Sequence, residues 1–397
     1  EMTWRQVART YLNLAHMVVQ ERTERPRPLI PRRKRLGRPE ELPEPDLRHL
    51  RALTDDVGIL QHCRTTIPER AHGYSLDDNA RALVACALHE HLYQSDELDS
   101  LTSTCLAFLV HGFDAQTNRF RNVLSYDRQW QNEPGSEDCH GRALWGLGTL
   151  AAWSANPHIR SVSLQLFQDA VGATEDFLTA RGWAYALLGI HSYLSHYEGD
   201  ATVRRVRTLL AGRLLKQFRI NASPDWQWCE PMLTYSNATI PNALILSGAG
   251  MQEDGMRAAG LTALDWLCRI QKSDRGYFSF VGTHGWYPKG KERARFDQQP
   301  IEASQMCLAC IEAYRATSDE RWLAEARLAL EWFLGRNDLN APLYSFSTGG
   351  CFDALGPDGP NTNQGAESQL AWLIALLSFL TQVSRQALEG RAEEVEP

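Results

Sequence analysis

Two kinds of helical segment alternate along residues 47–390. Segments of the first kind are rich in Ala, Gly and Leu and are apolar on nearly every side, which predicts helices buried on most of their faces. Six such segments are expected, at residues 75–94, 137–153, 180–197, 235–250, 300–317 and 365–384. Segments of the second kind have one apolar stripe, so each can cover a buried neighbour. Five of these lie at residues 97–113, 158–177, 201–218, 256–271 and 320–336.

This alternation predicts an all-α fold, an (α/α)6 toroid in which six buried helices form an inner ring and amphipathic helices form an outer ring. The sixth outer helix is expected from residues 47–54 or from the N-terminal helix. The unequal spacing of the segments disfavours a solenoid of fixed repeat length. Strand patterns are few, and residues 276–287 favour one short hairpin near the cleft. A doubly wound sheet is disfavoured because parallel βα units are absent.

Three further segments lie outside the predicted toroid. Residues 1–20 predict a short amphipathic helix, because one apolar stripe recurs at three- and four-residue steps on Trp4, Val7, Tyr11, Leu14 and Val18. Residues 21–46 are rich in Pro and Arg and are expected to be a linker. Residues 391–397 are expected to be an acidic tail.

The composition narrows the class of protein. The chain has 397 residues, of which 43% are hydrophobic and 22% charged, which is ordinary for a soluble globular protein. A net charge of -7 gives no support to a nucleic-acid partner. The nine cysteines form no disulfide framework, and reduced thiols favour a cytoplasmic location. We expect no membrane span, no metal and no cofactor, since zinc-ligand spacings and phosphate-loop motifs are absent.

A polar cluster that the core does not require stands at or near the start of each buried segment. The clusters read HGYSLDDNAR (72–81), SEDCHGR (136–142), TARGW (179–183), WQWCEPMLTYSN (226–237), RFDQQPIEAS (295–304) and NTNQGAES (361–368). If the inner helices run parallel, their N-termini converge at one end of the toroid and the clusters ring one cavity. A concave site with aromatic and carboxylate lining is the expected ligand site.

The candidate substrate-binding residues are the charged, amide, histidine and aromatic side chains of these clusters. They are His72, Tyr74, Asp77, Asp78, Arg81, Glu137, His140, Arg142, Trp183, Trp226, Trp228, Tyr235, Asn237, Gln298, Glu302, Gln364 and Glu367. Each type also has a structural alternative. Acidic and amide residues before a helix can be ordinary N-caps, tryptophans can belong to the core, and histidines can be structural hydrogen-bond donors.

Two carboxyl groups are the minimum for hydrolysis of a glycosidic bond, one as proton donor and one as base or nucleophile. Glu230 stands between two tryptophans and the pair Pro231 and Met232, where partial desolvation favours the protonated form that an acid requires. We therefore expect Glu230 as the catalytic acid, with Asp297 or Asp138 as the base.

Several stretches resemble a known group of domains. They are LTDDVGILQH (53–62), GYSLDDNARAL (73–83), EDCHGRALWGLG (137–148), WQWCEPMLTYSNATIPNALI (226–245), FDQQPIEAS (296–304) and NTNQGAESQLAWL (361–373). Together they look like the six-hairpin (α/α)6 glycosidase-like domains found in bacteria beside β-mannoside phosphorylases or fused to GT-B glycosyltransferases. Residues 2–20 resemble the last helix of a GT-B glycosyltransferase, which implies a fused glycosyltransferase domain as a partner.

The expected function is therefore that of a glycoside hydrolase acting on an oligosaccharide, a mannoside or a glucoside, with an inverting two-carboxylate mechanism. Two alternatives remain open at this point. One is a non-catalytic carbohydrate-binding domain of a glycosyltransferase. The other is a sugar epimerase or lyase on the same toroid, for which His72, His140 or Tyr235 is the expected base.

Overall fold

The computed structural model describes residues 4–24, 42–131 and 134–393. The chain divides into two units, Glu1–Glu44 and Pro45–Pro397. The first unit contains helix α1 (Trp4–Glu24), whose apolar side chains Trp4, Tyr11 and Leu14 are exposed. Most of the predicted linker, from 25 to 41, and the end of the predicted acidic tail, from 394 onward, lie outside the described residues.

The second unit contains the remaining helices. They are α2 (Arg48–Leu53), α3 (Leu76–Tyr93), α4 (Asp99–Gly112), α5 (Glu137–Trp153), α6 (Pro157–Val171), α7 (Ala180–Leu194), α8 (Ala201–Asn221), α9 (Thr239–Met251), α10 (Asp254–Ile270), α11 (Pro300–Thr317), α12 (Arg321–Phe333) and α13 (Ala366–Glu393). Two 3-10 turns accompany them at Arg70–His72 and Gly172–Asp176. Most bounds agree with the predicted segments to within three residues, but α9 begins four residues later, α6 ends six residues earlier and α13 ends nine residues later than expected.

The six buried helices α3, α5, α7, α9, α11 and α13 close into a ring. Each packs against the next in chain order, and α13 packs back against α3. Helices α4, α6, α8, α10 and α12 cover them from outside, and α2 packs on α13 in the remaining outer position. The predicted (α/α)6 toroid is therefore confirmed.

Small residues let two inner helices approach closely. A Cβ atom added at Gly148 of α5 would lie 2.2 Å from the carbonyl oxygen of Gly189 in α7. One added at Gly189 would lie 2.2 Å from the carbonyl oxygen of Leu144. These glycines are required because the two backbones nearly touch, and the Gly-rich composition of the inner segments follows from that packing.

The strands are ten two-residue segments in five antiparallel pairs. They are β1 (Cys63–Arg64) with β2 (Ile67–Pro68), β3 (Tyr74–Ser75) with β6 (Val123–Leu124), β4 (Phe113–Asp114) with β5 (Arg119–Phe120), β7 (Met232–Leu233) with β8 (Tyr287–Pro288), and β9 (Leu355–Gly356) with β10 (Gly359–Pro360). The prediction of a hairpin within residues 276–287 is wrong. Tyr287 instead pairs with Leu233, so this segment joins the loop before α9 rather than folding on itself.

Hydroxyl caps fix the starts of three inner helices. The side chains of Ser75, Ser136 and Thr179 accept hydrogen bonds from backbone N–H groups in the first turns of α3, α5 and α7. Such caps satisfy backbone donors that the helix leaves free. The acidic residues in the same turns are therefore not needed as caps and can bind other groups. Asp78 is the exception in part, because it also accepts a hydrogen bond from the Ser75 hydroxyl.

One apolar window bears on the expectation that the chain has no membrane span. Residues Ala366–Leu388 of α13 are long and apolar enough to cross a bilayer by length and composition, with a mean hydropathy of 1.2. In the toroid 72% of that window is buried against other parts of the chain. Burial among inner helices is sufficient to explain its apolar character.

Candidate active site

First-turn residues of neighbouring inner helices contact one another, so the helix N-termini lie at the same end of the toroid. Three arginines and five carboxylates make these contacts, and we call the set the arginine–carboxylate belt. Its members are Arg81, Arg142, Arg181, Asp77, Asp78, Asp138, Glu230 and Glu367. The convergence predicted from the polar clusters is therefore present for these eight residues.

Arg81 joins α3 to α13. Its Nη2 lies 2.8 Å from Asp78 Oδ1 and 2.9 Å from Glu367 Oε2. Burial alone would lower the pKa of Arg81, but the two carboxylates outweigh it and raise that pKa. Asp78 is 4% exposed and also accepts a hydrogen bond from Ser75. Burial raises the pKa of Asp78 against the pull of Arg81, whereas Glu367 remains partly open to the cavity.

Arg142 joins α5 to α3. Its guanidinium lies 3.2 Å from Asp77 Oδ1 and 3.9 Å from Asp138 Oδ2, and its carbon atom Cζ stands 4.5 Å from the ring centre of Tyr185. Burial would raise the pKa of Asp77, but the charges of Arg142 and Arg81 reverse the effect and lower it. Asp77 is thereby kept as an anion in the first turn of α3.

Tyr235 reaches Asp138 from across the ring. Its hydroxyl donates to Asp138 Oδ2 at 2.6 Å. Tyr235 lies just before α9, and Asp138 lies on α5. Because α7 stands between α5 and α9 in the ring, this hydrogen bond must cross on the side of α7 that faces the axis of the toroid. Burial and then the charge of Asp138 raise the pKa of Tyr235, so its hydroxyl keeps its proton. The pair therefore points into the central hollow.

Arg181 at the start of α7 holds the loop before α9. Its Nη1 donates to both carboxylate oxygens of Glu230, at 2.8 and 3.1 Å, and its Nε donates to the carbonyl oxygen of Tyr235 at 2.6 Å. This pairing corrects the expected role of Glu230. Both oxygens of Glu230 accept from this guanidinium, so neither is placed to donate a proton to a glycosidic oxygen.

Glu302 lies behind the belt, between α11 and the turn before α9. Its Oε2 accepts from the Asn237 side chain at 2.9 Å, and the backbone N–H groups of Ser236 and Asn237 also donate to the carboxyl group. Burial raises the pKa of Glu302 to about 7 despite these donors. With 3% of its surface exposed and its oxygens occupied, Glu302 organises the turn rather than contacting a ligand.

Asp353 is a site residue that the sequence analysis missed. It lies in the loop before α13, where its Oδ1 accepts from the Ser368 hydroxyl at 3.1 Å. Burial raises the pKa of Asp353 to about 6, and the negative charges of Glu367 and Asp78 add to the shift. Among the described carboxyl groups, burial raises the pKa of Asp78, Asp353 and Glu302, and Asp353 is the one of these three with a partly exposed side chain.

Asp297 stands apart from the belt. It has a left-handed φ of 62° and accepts a hydrogen bond from the Thr283 hydroxyl. The His284 ring lies 3.8 Å from it, and both groups belong to the loop that precedes α11. Within the described residues, Asp297 makes no hydrogen bond or ion pair with the eight belt residues, so its expected role as the base is not supported by this arrangement.

The tryptophans expected to hold sugar are core residues. Trp226 and Trp228 are 3% and 0% exposed and pack against Trp266 of α10. Trp183 is 8% exposed and donates its indole N–H to the Phe177 carbonyl. An indole ring enclosed by other side chains cannot stack on a ligand, so all three predictions are wrong.

Trp286 is the aromatic residue that lies where those three tryptophans were expected, beside Tyr235. Its ring is partly exposed and lies 6.5 Å from that of Tyr235, the residue bonded to Asp138. Its φ of 56° is unusual for a residue other than Gly. Its one weak indication in the sequence is that it is an aromatic residue in the Gly-containing segment 276–287.

Other expected binding residues serve the structure. His140 is fully buried, bonds the Ala170 carbonyl and has its pKa lowered by burial to about 3. Glu137 accepts from the backbone of Leu178 and Thr179 and so fixes the start of α7.

The remaining three expected residues of this kind are also held by neighbouring groups. Gln298 bonds Trp332 and Asp338, Gln364 accepts from Thr348, and the Tyr74 hydroxyl donates to Asp55. These corrections share one physical reason: each polar atom meets a protein partner in a loop whose path the sequence does not show.

Two histidines stand at the α3 and α13 side of the cavity. The rings of His62 and His72 lie 4.3 Å apart, and His62 Nδ1 is 3.0 Å from the Asn363 amide. Burial and then the neighbouring His72 lower the pKa of His62, although Asp78 and Glu367 oppose the shift. His72 itself is half exposed, with Glu69 3.7 Å away. Across the described ranges, no group of three or more His, Cys, Asp or Glu is arranged to hold a metal.

No protein-family model matches this chain, and no curated protein does. Solved structures do match it. A cellobiose 2-epimerase from Bacillus thermoamylovorans B4167 has a TM-score of 0.67 at 12% identity, covering 85% of this chain and 96% of the other. A D-mannose isomerase has a TM-score of 0.64 at 10% identity, with coverage of 85% and 96%.

A GH76 α-mannanase from Bacteroides thetaiotaomicron also matches, with a TM-score of 0.60 at 11% identity and coverage of 85% and 95%. All three are enzymes that act on carbohydrates and share the (α/α)6 toroid with this chain. At these identities the likeness shows the fold alone.

Proposed function

We propose that this protein is a glycoside hydrolase that cleaves a neutral oligosaccharide, a mannoside or a glucoside. One observation carries the proposal: Asp353, whose pKa is raised to about 6 by burial, lies close enough to the belt for the charges of Glu367 and Asp78 to act on it, while in the same belt the charges of Arg142 and Arg81 outweigh burial and lower the pKa of Asp77. Environments that push the pKa values of neighbouring carboxyl groups apart are those that separate an acid from a base. The GH76 mannanase on the same toroid supports hydrolysis as the class of reaction.

Asp353 is proposed as the acid and Asp138 as the base. Asp353 donates its proton to the glycosidic oxygen as the bond from the anomeric carbon to that oxygen breaks. A water molecule attacks the anomeric carbon and gives its proton to Asp138. Arg142 and the Tyr235 hydroxyl, which donates to Asp138 Oδ2, fix the direction of the Asp138 carboxyl group.

The placement of the pair supports an inverting outcome. Asp353 is bonded to the first turn of α13, Asp138 lies in the first turn of α5, and α3 packs between those helices. Directly packed helix axes are roughly 8–10 Å apart, so the axes of α13 and α5, with α3 between them, are farther apart than that, and the two carboxyl groups approach each other only as far as both side chains reach inward. Inverting enzymes need a separation of about 6.5–9.5 Å, which leaves room for the attacking water.

The other belt residues are proposed to bind sugar hydroxyls. Glu230 and Glu367 keep exposed carboxylate surface beside their arginines and can accept hydrogen bonds from hydroxyl groups. The resemblance of residues 2–20 to a glycosyltransferase helix adds a proposed partner, a fused glycosyltransferase that makes the oligosaccharide.

The test is the hydrolysis of defined manno- and gluco-oligosaccharides by the wild type, Asp353→Asn and Asp138→Asn. Each variant is expected to lose about a thousandfold or more in kcat, since an acid or base contributes about 10²–10⁴-fold. Asp254→Asn, at an exposed position of α10, is the matched control and should keep full activity. NMR of the first product formed gives the anomer. Undiminished hydrolysis by Asp138→Asn would reject the assignment, and oligosaccharide binding without turnover by the wild type would reject hydrolysis.

Epimerisation is the second candidate, favoured by His62. A neutral imidazole beside the belt is suited to removing a proton next to a sugar carbonyl, and the epimerase and isomerase on this toroid support that class of reaction. Incubation of reducing disaccharides in deuterated water distinguishes the two. Deuterium at carbon 2 that is lost in His62→Ala and retained in Asp353→Asn would establish epimerisation.

A further inference from the structure

A second cavity lies at the opposite end of the toroid from the belt. Its volume is about 150 Å³, and side chains from all six inner helices line it. The cavity begins one turn below the belt, because Val84 and Trp145 follow Arg81 and Arg142 by three positions. The walls are mostly apolar, with Leu88, Trp145, Leu188, Leu246 and Ile311 among them.

Asn242 is the unexplained group in this cavity. It lies in α9, a helix whose neighbouring residues are apolar, and it is 2% exposed. Its Oδ1 has no hydrogen-bond partner within the part of the chain that the structure describes. Leaving a buried amide oxygen unpartnered is destabilising by about 1–3 kcal/mol relative to a satisfied one, so folding alone favours an apolar residue at this position.

Several other polar groups of the cavity are engaged by the protein. The hydroxyls of Thr149 and Thr381 donate to carbonyl oxygens of their own helices at 2.7 Å. Glu312 and Arg315 form an ion pair at 2.6 Å. His191 and Ser378 also line the cavity, but among its lining side chains the Asn242 oxygen is the fully buried polar atom that has no partner within the described residues.

We propose that this cavity binds a neutral ligand of about one six-membered ring, with an apolar body and one hydroxyl group that bonds Asn242. A volume of about 150 Å³ matches one such ring, and an apolar cavity of that size can bind benzene. A hydroxyl both donates and accepts, so it satisfies either orientation of the amide. A charged ligand is disfavoured because the apolar walls would desolvate it.

The experiment is a ¹⁹F NMR titration of the full chain with 4-fluorophenol and with fluorobenzene. Both probes should saturate one site, and 4-fluorophenol should bind about tenfold more tightly, the size of one net hydrogen bond. In Asn242→Leu, which keeps the volume of the side chain, the affinity for 4-fluorophenol should fall about tenfold, to that for fluorobenzene. Leu246→Trp should fill the cavity and abolish binding of both.

Asp138→Asn is the control for the belt and should bind both probes as the wild type does. Thermal unfolding checks that each variant is folded, and Asn242→Leu should be at least as stable as the wild type. Failure of either probe to saturate, or equal affinity of Asn242→Leu and wild type for 4-fluorophenol, would overturn the proposal. Displacement of 4-fluorophenol by oligosaccharide at the belt would overturn it also, because the two sites would then be one. The outcome is independent of whether the belt hydrolyses a sugar.

Discussion

Glu302 shows how one buried carboxyl group links the site to the stability of the fold. Burial raises its pKa from an ordinary value of 4.5 to about 7. Between those two values the folded chain holds a proton that the unfolded chain releases. Glu302 therefore contributes stability that is fully present below about pH 4.5 and is lost as the pH rises through about 7.

Glu302→Gln should remove this pH dependence. The difference in pKa corresponds to roughly 3 kcal/mol of unfolding free energy between the two ends of the range. Urea unfolding at pH 5 and pH 8 measures it, and the wild type should lose that much more stability than the variant as the pH rises. Glu292→Gln, at an exposed position, is the control and should follow the wild type. An equal pH dependence in Glu302→Gln and wild type would contradict the assignment.

Asp353 should appear in the pH profile of the proposed hydrolase. A general acid acts only while protonated, so kcat/KM is expected to fall about tenfold per pH unit above about pH 6. Asp353→Asn should lose this alkaline limb along with most of the activity. Tyr235→Phe, which leaves Asp353 untouched, should lower kcat and keep the limb. A limb that persists unchanged in Asp353→Asn would assign the acid to another residue.

The residues that the sequence misplaced are those whose role depends on the path of a loop. Trp226 and Trp228 both precede Glu230 in the sequence, but spacing in a loop does not tell which way a ring points, and both turn into the core. Asp353 was missed because its loop returns to α13 only in the folded chain. The predicted belt residues of α3, α5 and α13 lie in the first two turns of a helix, which fix their positions, whereas Glu230 lies in the loop before α9 and Arg181 was not among the predicted site residues.

At the scale of elements, the helices were predictable and the short strands were not. A helix buried all round differs in composition from one with a single apolar stripe, and the toroid needs both kinds. Two-residue strands carry no such pattern, and the partner of β8 is β7, more than fifty positions earlier in the chain.

The close approach of α5 and α7 gives a test at this scale. Gly189→Ala would place a methyl group against the Leu144 carbonyl, and overpacking of this kind is destabilising by about 1–3 kcal/mol. Gly212→Ala is the matched control, since Gly212 lies in α8 with nothing within 4 Å of an added Cβ atom. That variant should gain up to about 1 kcal/mol, because Ala favours the helix. Urea unfolding compares them, and a Gly189→Ala protein as stable as Gly212→Ala would show that the two helices separate easily.

At the scale of the whole molecule, ring closure concentrates negative charge. A solenoid would spread its helix N-termini along a surface, whereas the closed ring of α3 to α13 brings them to one hollow. Five belt carboxylates face three arginines there, in a chain whose net charge is -7. In the proposed hydrolysis, this excess of negative charge would stabilise an oxocarbenium-like transition state and repel anionic ligands.

The protein should therefore discriminate against charged sugars. For two oligosaccharides of equal length, one neutral and one carrying a uronate, the KM of the charged substrate is expected to be at least about tenfold higher at low salt. The ratio should shrink toward one as ionic strength rises from 0.01 M to 1 M, since the Debye length falls from about 30 Å to about 3 Å. Hydrolysis followed over that range measures the ratio. A salt-independent ratio would mean that shape selects the neutral sugar, and a preference for the uronate would contradict an electronegative hollow, because such a field excludes a substrate of like charge.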